Sequence, residues 1–379
     1  MINRNILQDI KEELFKGKVI IIMGPRQVGK STLSEKIIKF SNIPHTIFSG
    51  DDADIRLLFK DINEEKLRRI FGTHKLILID EAQRIENIGI ALKIAVDKIK
   101  DIQVIATGSS AFELSSEINE PLTGRKQEHL LLPFSFKEMV EEHGFVKEQR
   151  LLNERLIYGY YPDIVLNRGD EKKNLSILSD SYLYKDVLSH QKLKKPQVLQ
   201  NLLKAIALQL GSEVSYNELA QTIGADKETV ERYLDILEKA FVIFRLNAFS
   251  RNIRNELKKA RKIYFYDNGI RNAILGNYTP IELRTDMGAL WENFLISERL
   301  KVLTYNNFYG YTYFWRTTQQ QEIDYLEEID GKLNAYEFKW NIKAKSKFPK
   351  TFTNAYPEAE TKLITPGNFT DFLLEDVRF

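Results

Sequence analysis

Two short stretches of the chain carry residue types suited to phosphate chemistry. In GPRQVGKST, residues 24–32, two glycines frame four residues and are followed at once by a lysine and two hydroxyls. Glycines at this spacing let backbone N–H groups close around phosphates, the lysine reaches the terminal phosphates, and the helix that follows adds its dipole. The expected nucleotide contacts are Gly24, Pro25, Arg26, Gln27, Val28, Gly29, Lys30, Ser31 and Thr32, with the Ser31 hydroxyl on Mg2+ and Thr32 the lesser contact. The second stretch, KLILIDEAQ, sets Asp80 and Glu81 at the end of an apolar run. Asp80 is expected to hold Mg2+ through water, and Glu81 to polarise the water that attacks the phosphate. A third apolar run ends in Thr107-Gly108-Ser109-Ser110, where a polar residue, with Ser109 the candidate, either senses the terminal phosphate or positions water, or the segment is a plain turn. Arg125 is either a transition-state cation, acting in cis or in trans, or a surface arginine, and the same alternatives hold for Arg26.

A third stretch, QEIDYLEEIDGKLNAYEFKW at 321–340, alternates around Asp330-Gly331, a pair that tolerates positive φ and closes two-residue hairpins. If Ile329 faces Lys332, Asp324 lies across from Glu337, and Lys339 shares that face two residues on. Like charges directly opposed are destabilising. The face is therefore either solvated or built to hold a cation.

The elements that must position these residues follow from patterning. A chain of 379 residues implies two or three domains. KVIII, LILI and IQVIA read as buried parallel strands, so the first third is an α/β sheet with its chemistry at the strand ends. From Pro133 to Gln191 the chain turns helical and aromatic, with Tyr158, Tyr160, Tyr161, Tyr182 and Tyr184 expected mostly in the core of a lid or connector. Residues 196–250 then give three amphipathic helices and a strand, with Ser215 capping the second helix and Asp226 or Lys227 opening the third. Val230, Tyr233, Leu234 and Leu237 share one face of that third helix. This order suggests a winged helix-turn-helix, a module that often reads the major groove. On the exposed face, however, Glu228, Glu231, Asp235 and Glu238 outnumber Lys227, Arg232 and Lys239, and phosphate repels such a surface, so direct DNA reading competes with a packing or protein-contact role. SRNIRNELKKARK at 250–262, with Arg251, Arg254, Lys258, Lys259, Arg261 and Lys262, is either a phosphate-binding wing or a solvated connection. GALWENFLISERLK follows as an amphipathic helix with Leu290, Trp291, Phe294 and Leu295 buried and Glu292 at the margin.

Composition excludes several classes. The absence of cysteine rules out disulfides and thiolate zinc, and the five histidines form no His-x-x-x-His pair, so any metal is held by oxygen. A formal net charge of +2 leaves nucleic-acid affinity to local patches. No signal-peptide pattern and no bilayer-length apolar run is present, and the expected location is the cytoplasm. The expected partners are ATP and, as a candidate, DNA, with no membrane; the chain is compatible with an oligomer.

GPRQVGKST, LILIDEAQ, TGSS, LTGR, LLPFSFKE and YGYYPDIV together resemble the AAA-type ATPases of bacteria and archaea that carry a C-terminal domain of unknown function. The resemblance implies an ATP and Mg2+ site at Gly24, Gly29, Lys30, Ser31, Asp80 and Glu81. The last third, in the order helix, three strands, helix, strand, resembles the PD-(D/E)XK nucleases. That resemblance implies Mg2+ held by Glu292, Asp324 and Glu337, with Lys339 beside the nucleophile. Such a site either cleaves or has kept its residues without turnover. The expected fold class is thus α/β: a P-loop NTPase parallel sheet over 1–132, a helical lid over 133–195, a winged helix-turn-helix over 196–250, and a restriction-endonuclease-like α/β domain over 251–379. The expected function is ATP hydrolysis that couples nucleotide state to nucleic-acid engagement. The alternatives are a metal-dependent DNase regulated by ATP, or a nucleotide-switched adaptor with a relic nuclease domain.

Overall fold

The computed structural model describes residues 2–109, 122–181, 196–250, 261–345 and 347–375. The chain divides into two compact units, one of Met1–Pro133 with Lys239–Phe241, the other of Phe134–Glu238 with Val242–Phe379.

The first unit is built on five parallel strands: β1 (Val19–Met23), β2 (His45–Ser49), β3 (Leu76–Asp80), β4 (Gln103–Gly108) and β5 (Lys126–Leu130), in the order β2-β3-β4-β1-β5. β1, β3 and β4 are central and buried on both faces, which explains their unbroken apolar sequences. The edge strand β2 instead alternates and leaves Ile47 exposed. Parallel register, with Ile79 beside Ala106 and Met23 beside Gly108, brings the carboxyl ends of the central strands to one sheet edge. Only the segments that leave those ends can form a common site.

The second unit opens with short helices between Phe136 and Ser181. Tyr160 and Tyr161 are in the core as expected, while Tyr182 and Tyr184 lie outside the described residues. A helix Pro196–Leu208, strand β6 (Glu213–Val214), helices Tyr216–Ile223 and Lys227–Lys239, and strands β7 (Ile243–Ala248) and β8 (Arg261–Phe265) come next. Ser215 accepts from the Glu218 N–H and Asp226 from the Thr229 N–H, so both helix starts are capped. Val230, Tyr233, Leu234 and Leu237 are buried along the third helix.

The long helix Met287–Tyr305 precedes β9 (Tyr311–Arg316), β10 (Glu322–Ile329), β11 (Lys332–Phe338), a helix Lys350–Ala355, β12 (Glu360–Ile364) and a last helix Phe369–Leu374. All seven strands form one sheet, β12-β11-β10-β9-β7-β8-β6. The expected division at residue 250 therefore marks no break in the fold. β7 pairs antiparallel with β8 and parallel with β9, so strands on either side of that division share one ladder. Strand pairing across the division is non-local and so leaves no mark in the local sequence. The residues on which the wing reading mainly rests, Arg251, Arg254, Lys258 and Lys259, lie outside the described residues.

The long helix also departs from expectation. It is buried around most of its circumference, including Glu298, Arg299 and Lys301, rather than along one stripe. Each buried charge is paired: Arg299 makes a bidentate contact with Glu327, and Lys301 joins Glu298 and the Phe134 carbonyl. At the start of this helix, Asp286 bridges Arg271 and Arg284. Burial raises the Asp286 carboxyl, but hydrogen bonds from Arg284 and Arg271 outweigh it and leave it at about 2, below the ordinary 3.8. A depressed carboxylate contributes stability that is full above the ordinary value and is lost as pH falls through the folded one. Asp286→Asn should cost about 1–2 kcal/mol at neutral pH, discounted for partial exposure, and should flatten the acid limb below about pH 4 in urea titrations.

Candidate nucleotide site and an acidic centre

The loop after β1 turns on two glycines. Gly24 adopts φ +154°, and a Cβ there would stand 2.0 Å from the Leu131 carbonyl oxygen, so the backbone passes closer to the β5 exit than any side chain permits. Gly29, at φ +92°, is left-handed and starts the helix Lys30–Ser41. Lys30 is buried, and its ammonium donates to the Gly24 and Pro25 carbonyls at 2.9 and 2.8 Å. Pro25 and Val28 are buried in the loop, while Gln27, with φ +59°, and Thr32 are exposed.

Across the edge, Ser31 donates to Asp80 Oδ2 at 2.9 Å and Thr107 donates to Asp80 Oδ1. Thr107 Oγ1 also accepts from the Glu81 N–H at 3.1 Å, which ties the two acids to β4. Glu81 takes a left-handed φ of +46°. Its Oε2 accepts from Gln83 at 2.6 Å and Ser109 at 3.2 Å. Lys30, Ser31, Asp80, Glu81 and Ser109 thus meet at one sheet edge. Ser110 lies outside the described residues. The paired hydroxyl and carboxylate form the all-oxygen donor set that suits Mg2+.

Arg125 does not join this group. It bonds Asp97 at 2.7 Å, and its carbonyl accepts from the Val19 N–H at the amino end of β1. One strand length, about 13 Å for four residues, separates it from the loop after Met23. A cis role at its own site is therefore excluded by the parallel register.

Three residues at this site were not singled out by sequence. Thr107 was visible only as one of several polar residues at a strand end. Gln83 orients Glu81, and its Oε1 is buried without a partner among the described residues. Arg4 is buried and donates to the Val28 and Leu132 carbonyls at 2.8 and 2.5 Å, bracing the loop from behind; no local pattern announces it.

In the second unit, the hairpin register pairs Ile329 with Lys332 and Tyr325 with Tyr336, which carries Asp324 opposite Glu337. Asp330 and Gly331 both have positive φ. A register shift against β9 between Ile323 and Leu326 re-aims the segment that holds Asp324. Asp324 Oδ2 accepts from the Phe338 N–H at 2.8 Å, and Lys339 lies 2.9 Å from Glu337 and 3.6 Å from Asp324. Burial and then the Asp324 charge push the Glu337 carboxyl up. Burial alone would lower the Lys339 ammonium, but Asp324 and Glu337 outweigh it and raise it.

Glu292, from the long helix, is engaged elsewhere. Its Oε1 accepts from Lys262 at 3.1 Å and from Tyr264 at 2.6 Å. Burial pushes its carboxyl up to about 7 against the pull of Lys262. Lys262, read in the sequence as part of either a phosphate-binding wing or a solvated connection, is instead 1 % exposed, because strand alternation on β8 turns it inward with Tyr264. Among the described residues, no three or more acidic, histidine or cysteine side chains converge closely enough to hold a metal ion. The three carboxylates expected to bind Mg2+ share a neighbourhood without forming a coordination shell.

Comparison with known proteins adds the following. Residues 16–140 match the AAA domain family model, and residues 149–280 and 287–377 match two families described as domains of unknown function, DUF8612 and DUF4143. An uncharacterized protein of Mycobacterium tuberculosis is 26% identical over 343 residues, covering 89% of this chain and 73% of that one. An uncharacterized protein of Haemophilus influenzae is 27% identical over 307 residues, covering 73% of this chain and 74% of that one. A solved structure of the Thermotoga maritima RuvB Holliday junction branch migration motor aligns at 16% identity and a TM-score of 0.31, over 68% of this chain and 95% of that one. That overlap is too low to carry fold or function across. The first unit contains an AAA-type P-loop domain.

Gly24→Ala should abolish nucleotide binding and lower the melting temperature, since its Cβ meets backbone. Thr107→Val leaves an Asp80 oxygen and the Glu81 N–H without their partner, and should cost about 1–3 kcal/mol in chemical denaturation.

Proposed function

We propose that the first unit binds and hydrolyses ATP with Mg2+, and that its nucleotide state controls how the second unit engages nucleic acid. The observation that carries the first part is the division of the Asp80 carboxylate between Ser31, on the phosphate loop, and Thr107, on the neighbouring strand. One residue thereby links the phosphate cradle to the strand end that orients Glu81. In the proposed reaction the loop N–H groups bind the phosphates, and Lys30 leaves its two carbonyl partners for the phosphate oxygens. Ser31 and Asp80 would hold the ion, which supplies charge neutralisation. Glu81, steadied by Gln83 and Ser109, takes the proton of the attacking water. A role for Arg125 requires a second copy of the chain. No helix among the described residues is long and apolar enough to cross a membrane. The cytoplasm, where ATP is supplied, is the proposed location.

For the second unit, the order helix, β6, helix, helix, β7, β8 supports a winged helix-turn-helix. The order long helix, β9, β10, β11, helix, β12 supports a nuclease-like α/β module. Both readings point to nucleic acid. A second reading is a nucleotide-switched adaptor that contacts protein: Glu228 and Glu231 of the third helix are exposed and would repel phosphate, while Asp235 and Glu238 pair with Arg245.

Lys30→Ala should eliminate phosphate release, and Glu81→Gln should lower kcat about 10²–10⁴-fold with ATP binding kept. Undiminished turnover in Lys30→Ala would refute the ATPase assignment. DNA filter binding across a salt series decides the partner. A steep fall with salt supports nucleic acid, whereas no salt-dependent binding by an active ATPase supports the adaptor.

A further inference from the structure

We propose that Lys262 is a built-in cation of the acidic centre in the second unit, its ammonium taking the place of a divalent ion, so that this centre joins two modules instead of cutting phosphodiesters. The inference rests on the nuclease-like reading above only for the activity that is lost.

The geometry is specific. Lys262 Nζ stands 2.5 Å from Glu322 Oε1 and 3.1 Å from Glu292 Oε1. Asp324 is close enough to stabilise the ammonium as well, and the three carboxylates raise it above its ordinary value despite burial. Neighbouring groups hold further oxygens of the cluster: Glu322 Oε2 meets Arg316 at 3.3 Å, Tyr264 donates to the same Glu292 Oε1 that Lys262 holds, and Glu337 Oε2 holds Lys339. Lys262 is among the largest fully buried side chains, so its stem has no solvated position to which the ammonium can withdraw.

Magnesium needs an octahedral oxygen shell at about 2.0–2.1 Å and keeps several waters. A fixed positive charge between Glu292 and Glu322 takes the Glu292 oxygen that such an ion would need and repels a second cation from the carboxylates around it. Lys262 lies on β8, Glu292 on the long helix and Glu322 on β10, so the ammonium pins the three-helix module to the hairpin. The β6–β8 pairing strengthens that junction: Glu213 is opposite Lys262 and bonds Arg316 at 3.0 Å.

The test is Mn2+ titration of the full chain without nucleotide, read by paramagnetic resonance, together with plasmid cleavage in Mn2+ and Mg2+. Wild type is expected to show no Mn2+ site that Asp324→Asn abolishes, and no cleavage that depends on Asp324. Lys262→Met is expected to gain an Asp324-dependent Mn2+ site bound at least about tenfold more tightly than any in wild type. A wild-type site or nicking activity lost in Asp324→Asn overturns the proposal, and this comparison needs no Lys262 variant to fold. A folded Lys262→Met that gains no site also overturns it. Phosphate release at the P-loop is a separate readout, so failure here leaves the ATPase assignment distinguishable.

Discussion

A charge taken out of water must meet its opposite, and the second unit is organised by that requirement. Asp267, Lys262, Glu292, Glu298, Arg299, Lys301 and Glu327 all lie in its interior or at its edge. An unpaired buried charge costs far more than any single apolar contact returns, so each of these side chains fixes the position of another element. Asp267 accepts from the Tyr160, Gly269 and Ile270 N–H groups, which holds the turn after Gly159 against the start of the helix Asn268–Leu275. Glu298 accepts from the Phe136 N–H while its other oxygen takes Lys301. The long helix is thus less an amphipathic rod than an axis to which helices, strands and loops are bonded.

The first unit solves a different problem, the close approach of backbone. Its site depends on Gly24 passing against Leu131, and on Gly50 passing so near the Glu81 carbonyl that a Cβ would sit 2.2 Å from it. These approaches set the phosphate loop and the acidic turn in fixed relation before any nucleotide arrives. Side chains then refine the arrangement: Thr107 couples Asp80 to Glu81, Gln83 and Ser109 orient Glu81, and Arg4 braces the loop from the side away from solvent. Preorganised donors and acceptors of this kind reduce the rearrangement left for the reacting state.

The two sites illustrate opposite uses of acidic residues. At the sheet edge of the first unit, Asp80 is paired with neutral hydroxyls, a neighbourhood that leaves its charge available to a cation. In the second unit, Glu292 and Glu322 already share an ammonium. Carboxylates at similar sequence signals therefore differ in what they can bind, because availability depends on which partner the fold brings to them.

Local signals determined much of this protein. The phosphate loop was legible because its chemistry needs contiguous residues, and the hairpin register was legible because Asp330-Gly331 fixes which residues oppose each other. The helix caps at Ser215 and Asp226 and the buried face through Val230, Tyr233, Leu234 and Leu237 were also written locally. Tertiary structure alone decided what depends on distant pairing. The single sheet across β7 and β9, the inward turn of Lys262, the bracing by Arg4 and the separation of Arg125 from its own site arise from strands and side chains far apart in sequence. A window of neighbouring residues records periodicity and turn chemistry, but it does not record which distant charge will be waiting where a side chain arrives.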